Sequence, residues 1–406
     1  MEKEFIKETN SSVTLNVTAG RIDSFREIER TTGTVRVYEN GCVGIAGALG
    51  EPDDENLTKK AKDALAFGIP YPERLEGALD MEELHDDELI PIPDFIPTMQ
   101  AFLDRLGELC PKFAFSNKLS MSRNRTLYRN SKGRRLVSSS SKLSIELLAQ
   151  NRGSGNLFDT FFGWSGNRLN EDELLAYFKK EYDAFHTSAD IAPGRYPVVF
   201  SDIETVLYRF FRHFTSDAYA AGASLLNGKL SEKVFSDKLT VKDDMNPLTN
   251  HGCCFFDAEG CVAPDMRPTF VENGVLKGLL TTKKSAEQYG IPNLGNAAAE
   301  YDGIPRISLH SLYTAPTAES LRELVPGKAV YVVVADGGDS TPDGHFATPV
   351  QMAYLMENGE LVGRLPVLNI SGSFFELLGK DYVGTVRDVP VKEAALTAIT
   401  MDVSKA

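Results

Sequence analysis

The tripeptide Glu-Asn-Gly occurs three times, at Glu39-Asn40-Gly41, Glu272-Asn273-Gly274 and Glu357-Asn358-Gly359. Asn and Gly tolerate positive φ, which the favoured two-residue hairpin turns require. Around the first copy, Thr34-Val35-Arg36-Val37-Tyr38 alternates in polarity and Cys42-Val43-Gly44-Ile45-Ala46 continues beyond the turn. Hairpins spread over the chain predict antiparallel sheet in both halves. The sequences flanking the three copies are dissimilar, so they read as one common turn used three times, not as a duplication.

Further strands are expected at Val13, Leu15 and Val17, over 114–165 with a turn at Asn130-Ser131-Lys132-Gly133, and at Val330-Tyr331-Val332-Val333-Val334, a run suited to a buried strand. Helical spacing joins Leu57, Ala61, Ala64 and Leu65 behind a cap at Asp53 or Asp54. It also joins Met99, Phe102, Leu103, Leu106 and Leu109. A third helix runs from a cap at Asn170 to about His186, with Leu174, Leu175, Phe178 and Tyr182 inward. Residues 203–226 read as one amphipathic helix. Residues 70–95, rich in proline and acid, read as a surface connector. The loop with Pro193, Gly194 and Pro197 divides the chain into an N-terminal mixed α/β domain, 1–192, and a hairpin-rich, barrel-like antiparallel β domain, 193–406. The fold class is α+β.

The 406 residues, 42% hydrophobic and 25% charged, are enough for two or three cores. A formal net charge of −14 argues against a protein that holds nucleic acid by its phosphates. There is no apolar leader and no run of 18 apolar residues, and the five cysteines are sparse and odd in number. These features predict a cytoplasmic protein with reduced thiols and no membrane span. No phosphate loop and no nucleophile elbow occur, so nucleotide and familiar serine-hydrolase chemistry are unsupported.

Several segments together resemble the TldD/PmbA family of peptidases, long labelled modulators of DNA gyrase. They are Arg36–Gly41 with Gly44-Ile45-Ala46, Tyr128–Gly133, Phe255-Phe256-Asp257-Ala258-Glu259-Gly260 with the hairpin from Phe270 to Gly278, Leu294-Gly295-Asn296-Ala297, and Tyr354–Leu361. The resemblance implies a zinc-peptidase fold in which His-Glu-x-x-x-His on a helix and a cysteine near the chain's end serve the metal. Histidines five apart lie about 140° apart on an ideal helix, so such a site needs a distorted turn. Here the matching stretch is Tyr208-Arg209-Phe210-Phe211-Arg212-His213. Tyr208 and Arg209 replace the first histidine and the glutamate, only His213 remains, and no cysteine follows Asp388. A guanidinium neither binds a cation nor accepts a proton. The pattern resembles the metal-free TldE/PmbA branch. It implies no zinc in this chain, a zinc-bearing TldD-like partner or self-association as a dimer, and extended or unfolded peptide as the ligand. A self-sufficient metallopeptidase with a rearranged site and a homodimeric peptide-binding scaffold without activity are the alternatives.

Other groups carry weaker signals. His213 suits a hydrogen-bonded structural histidine. His251, Cys253, Cys254 and Cys261 could collect zinc, but adjacent cysteines point to opposite faces of a strand and no Cys-x-x-Cys is present. Asp336, Asp339, Asp343 and His345 lie in a Gly-rich loop suited to solvent, and the resemblance makes Asp339, Asp343 and His345 candidate substrate contacts. Arg123, Arg125, Arg129, Lys132, Arg134 and Arg135 read as hairpin rims, with an acidic partner as the second reading. Phe158, Phe161, Phe162 and Trp164 read as core.

Overall fold

The three Glu-Asn-Gly turns form as their residues dictate. In the computed structural model, which describes residues 1–87, 89–201, 204–387 and 395–406, Asn40, Asn273 and Asn358 have φ of 53°, 49° and 52°, and the following glycines 71°, 78° and 83°. These turns join Arg21–Glu39 to Cys42–Leu49, Thr269–Glu272 to Val275–Leu276, and His345–Glu357 to Glu360–Arg364.

The N-terminal half is a sheet of long antiparallel strands. Its order runs Ile69–Pro70, Cys42–Leu49, Arg21–Glu39, Glu2–Thr18, Phe113–Asn130, Arg134–Asn151. Leu79–His85 and Thr160–Gly166 both pair with Arg134–Asn151, the former in parallel. The acidic segment 70–95 is therefore no simple connector, since it contributes a sheet strand and the start of helix Ile92–Leu109. Strand periodicity sorts the side chains of Glu2–Thr18 onto two faces. Phe5, Val13, Leu15 and Val17 pack beneath helices Asp54–Ala64 and Ile92–Leu109. Glu4 and Ile6 face the C-terminal loop that carries Phe255 and Phe256.

In the second half, Lys328–Ala335, Gly194–Phe200, Leu396–Lys405, Leu368–Ser373 and His345–Glu357 pair in succession. The first then pairs with the last, closing a five-stranded barrel. The barrel is mostly antiparallel, with one parallel pairing between Lys328–Ala335 and Gly194–Phe200. Its interior holds Val198, Phe200, Val330, Val332, Ile370, Ile399 and Met401. Val199, Ala329, Tyr331 and Ala398 point outward into a core shared with the N-terminal sheet and helix Glu171–Phe185. This explains the unbroken apolar run at Val330: both faces of that strand are covered.

The expected single helix over 203–226 is not formed. Ile203 lies outside the described residues. From Glu204 the chain is helical to Phe210, turns as a 3-10 segment over Phe211–Phe214, and restarts at Ser216–Ala220. Thr215 makes the break. Its backbone is extended, with ψ 140°, and its side chain accepts the Ala218 N–H, so it acts as the N-cap of a new helix. Among the described residues no helix is long and apolar enough to cross a membrane.

Candidate functional site

Helix Glu204–Phe210 is anchored by Val206, Leu207 and Phe210 in the barrel core. That anchoring fixes where its other residues go. Tyr208 turns outward and is 72% exposed, lying near-parallel to Phe211. Arg209 reaches the Gly-rich loop, donating to the Gly337 carbonyl at 2.5 Å and to the Gly338 carbonyl at 3.4 Å. Gly338, at φ +71°, holds this loop tightly against strand His345–Glu357: a Cβ there would stand 2.3 Å from the Ala347 carbonyl.

His213 is buried between Phe210 and Phe374, with ring centroids 6.4 and 6.0 Å away. Its Nδ1 accepts the Leu225 N–H at 3.2 Å, and its carbonyl accepts the Ser224 hydroxyl at 2.6 Å. Burial, with Arg212 adding to it, holds the imidazole below its ordinary pKa. Tyr208, Arg209 and His213 therefore do not make a donor set for a divalent cation. One is an exposed phenol, one a guanidinium, and one an imidazole whose accepting nitrogen is already used.

Asp339, Asp343 and His345 are exposed in the same loop. Asp339 accepts the Ser340 N–H at 2.7 Å. The Asp343 carboxyl is lowered by its bond from the Thr341 hydroxyl, and His345 Nε2 stands 4.0 Å from it. Neither this loop nor His251 with its neighbouring cysteines supplies three converging ligands. Among the described residues the one such group is Asp257, Glu259 and Cys261. Burial raises Cys253, Cys254 and Cys261, Cys254 to about 12, so these thiols are poor nucleophiles.

The Asp257 group belongs to a buried polar node, and its ligand atoms are spoken for. Asp257 Oδ1 accepts the Glu259 and Cys261 N–H groups, both at 2.9 Å, and Oδ2 accepts Ala297 N–H at 3.1 Å. Glu259 accepts the Tyr71 hydroxyl at 2.5 Å and Lys283 N–H at 2.8 Å. The Lys283 ammonium donates to the Glu259 carbonyl at 2.8 Å. From the sheet, Arg36 reaches the Ala258 carbonyl at 2.7 Å while paired with Glu4 at 2.8 Å. Tyr38 and Tyr128 also donate to Glu4, at 2.7 and 2.9 Å. Arg134 takes the Gly260 carbonyl at 2.7 Å. Burial, then repulsion from Asp257, pushes Glu259 up to about 7. The node fastens the N-terminal sheet to the C-terminal half. The Asp-Ala-Glu-Gly motif flagged this loop, and Arg36 opens another matched segment without a role read for it, but nothing local in the sequence pointed to Glu4 or Lys283.

The basic run has its acidic partner within the chain. Arg135 pairs with Asp80 at 2.9 Å and Glu82 at 2.5 Å, Arg129 with Asp54 at 2.8 Å, Lys132 with Glu2 at 2.6 Å, and Arg123 approaches Asp86 at 3.9 Å. The parallel register of Leu79–His85 on Arg134–Asn151 brings the acidic segment beside the arginines. Of the four aromatics expected in the core, Phe162 and Trp164 are buried in the shared core, whereas Phe158 and Phe161 are only half-buried and lie outside it.

Comparison with known proteins agrees with this architecture. The chain is 26% identical over 392 residues to a metalloprotease of Archaeoglobus fulgidus, covering 92% of this chain and 89% of the relative. It is 26% identical over 276 residues to a zinc metalloprotease TldD homolog of Saccharolobus solfataricus, covering 63% and 61%. The crystal structure of TldE from Thermococcus kodakarensis superposes with a TM-score of 0.80 at 18% identity, over 100% of this chain and 97% of that one. The family model of the PmbA/TldA metallopeptidase C-terminal domain matches residues 193–399, and the chain belongs to the TldD/PmbA family.

Proposed function

We propose that this chain is a non-catalytic, TldE/PmbA-like subunit of a two-subunit peptidase that acts on extended or unfolded peptides. The single observation that carries the reading is the seating of Arg209. By the resemblance Arg209 falls where the family's His-Glu-x-x-x-His has its glutamate, and its guanidinium bonds to the carbonyls of Gly337 and Gly338. A fixed positive charge there opposes a metal and offers no base. In this reading a TldD-like partner holds the zinc that activates water. This chain supplies chamber wall and selectivity, and Asp339, Asp343 and His345 are substrate-facing because Arg209 ties their loop to the degenerate helix. Co-expression with a paralogue that retains His-Glu-x-x-x-His tests this. The expected result is a stable complex, with zinc in the paralogue alone and peptide cleavage that requires both chains. Stoichiometric zinc and chelator-sensitive hydrolysis in this chain alone, both lost in His213→Ala, would overturn it.

A further inference from the structure

Strand Arg21–Glu39 is paired with Glu2–Thr18 from Arg21 to Tyr38, with a bulge at Asp23, but its other side meets Cys42–Leu49 only from Thr32 onward. Among the described residues nothing pairs with the outer side of 23–30. The Thr31 carbonyl faces outward, where it accepts the Gly50 N–H at 2.8 Å. By the two-residue repeat of a strand, Phe25, Glu27 and Glu29 also turn their N–H and C=O groups to the open side.

A helix flanks this edge. The Ile22 N–H is taken by Gln100 of helix Ile92–Leu109 at 3.0 Å. Ile96 and Ile92 follow on the same helix face at four-residue spacing. At the far end Ile92 and Glu27 line one cavity of about 140 Å³, which places Ile96 between, alongside Phe25. Phe25, Ile92 and Ile96 are all exposed. Phe25 and Glu27 stand opposite Leu15 and Val13, which pack under the helix. The helix side of the edge therefore carries Phe25, Glu27 and Glu29. The other side carries Ser24, Arg26, Ile28 and Arg30.

We propose that Asp23–Arg30 is a docking edge for an extended segment of another protein. That segment adds as a strand, sets apolar and basic residues on the helix side against Phe25, Ile92, Ile96, Glu27 and Glu29, and sets acidic residues on the other side against Arg26 and Arg30. Main-chain hydrogen bonds give such a mode its affinity, and the alternating side chains give its specificity. A second copy of this chain is the wrong occupant. Two-fold pairing keeps like faces together, so it would set the acids against the same acids and the arginines against arginines. The inference stands apart from the subunit reading, because it uses none of residues 204–220 or 336–345.

The test uses the full chain and a fluorescein-labelled ten-residue peptide with valine and lysine alternating on one face and glutamate and threonine on the other, followed by fluorescence anisotropy. Saturable binding is expected. It should weaken at least about tenfold in the Glu27→Lys/Glu29→Lys double variant, in Glu27→Pro, and for a peptide N-methylated on its edge-facing amides. N-methylation leaves the protein untouched and so separates lost docking from lost folding. Absence of binding, or binding indifferent to all three changes, overturns the proposal. So does sedimentation showing that the chain pairs with itself through this edge and that Glu27→Pro abolishes the pairing.

Discussion

Glu4 is 1% exposed and takes hydrogen bonds from Arg36, Tyr38 and Tyr128. A carboxylate with three donors neutralises a guanidinium that is equally buried. Glu4→Gln keeps the shape and removes the charge, leaving Arg36 uncompensated. The expected cost is about 3–5 kcal/mol, measured by urea unfolding. Glu259 makes a different prediction. A free glutamate titrates near 4.5, and this one is raised to about 7. The folded state therefore keeps a proton that the unfolded chain has released between those values. Its contribution to stability falls as pH rises through that window, by up to about 1.4 kcal/mol per pH unit. Unfolding measured from pH 4.5 to 7 should lose this component of the slope in Glu259→Gln. An unchanged slope would show that the carboxyl is ionised throughout.

At the scale of elements, the break at Thr215 decides how residues 204–220 present themselves. Apolar periodicity runs through this segment, so a helix is the natural expectation from pattern alone. Threonine competes with that pattern because its hydroxyl can satisfy a helix's first N–H groups from an extended backbone. Thr215→Val keeps the volume and the branch but removes the acceptor. A loss of about 1 kcal/mol is expected, seen as a lower melting temperature together with faster amide exchange over Ser216–Ala220. Strand Leu79–His85 teaches a related lesson. Its acids, within a segment flanked by prolines, look like loop composition, yet it sits at a sheet edge, where charges are favoured. Its Asp80 and Glu82 also meet Arg135, which lies 55 positions beyond Asp80.

The whole molecule is held by cores that ignore the division at 193. Phe113, Phe162, Leu174 and Phe178 share one core with Val199, Tyr331, Met352 and Tyr354 of the barrel. The polar node joins the same halves on the other face of the sheet. Residues 1–192 expressed alone would expose that apolar surface to water. The expected outcome is a fragment that binds ANS and unfolds without a sharp transition, measured by dye fluorescence and calorimetry. A cooperative, dye-free fragment would mean that the shared core contributes little.

Interactions within a few residues were readable from the amino-acid order. The Asn-Gly turns need only two positive φ angles, the caps at Asp53 and Asn170 need only a side-chain acceptor before a helix, and the run at Val330 needs only cover on both faces. The five ordered motifs likewise sufficed to place the chain in its family, and it is the resemblance that sets Tyr208 and Arg209 against that family's His and Glu. Contacts between residues far apart in the chain were decided only in three dimensions. They include the closure of the barrel, the seat of Arg209 on the Gly337 and Gly338 carbonyls, the pairing of the basic run with Glu2, Asp54, Asp80, Glu82 and Asp86, and the gathering of Glu4, Arg36, Glu259 and Lys283. The physical reason is range. Turn and cap preferences act between neighbours along the backbone, whereas burial and charge pairing depend on which distant segments the packed chain brings within a few ångströms.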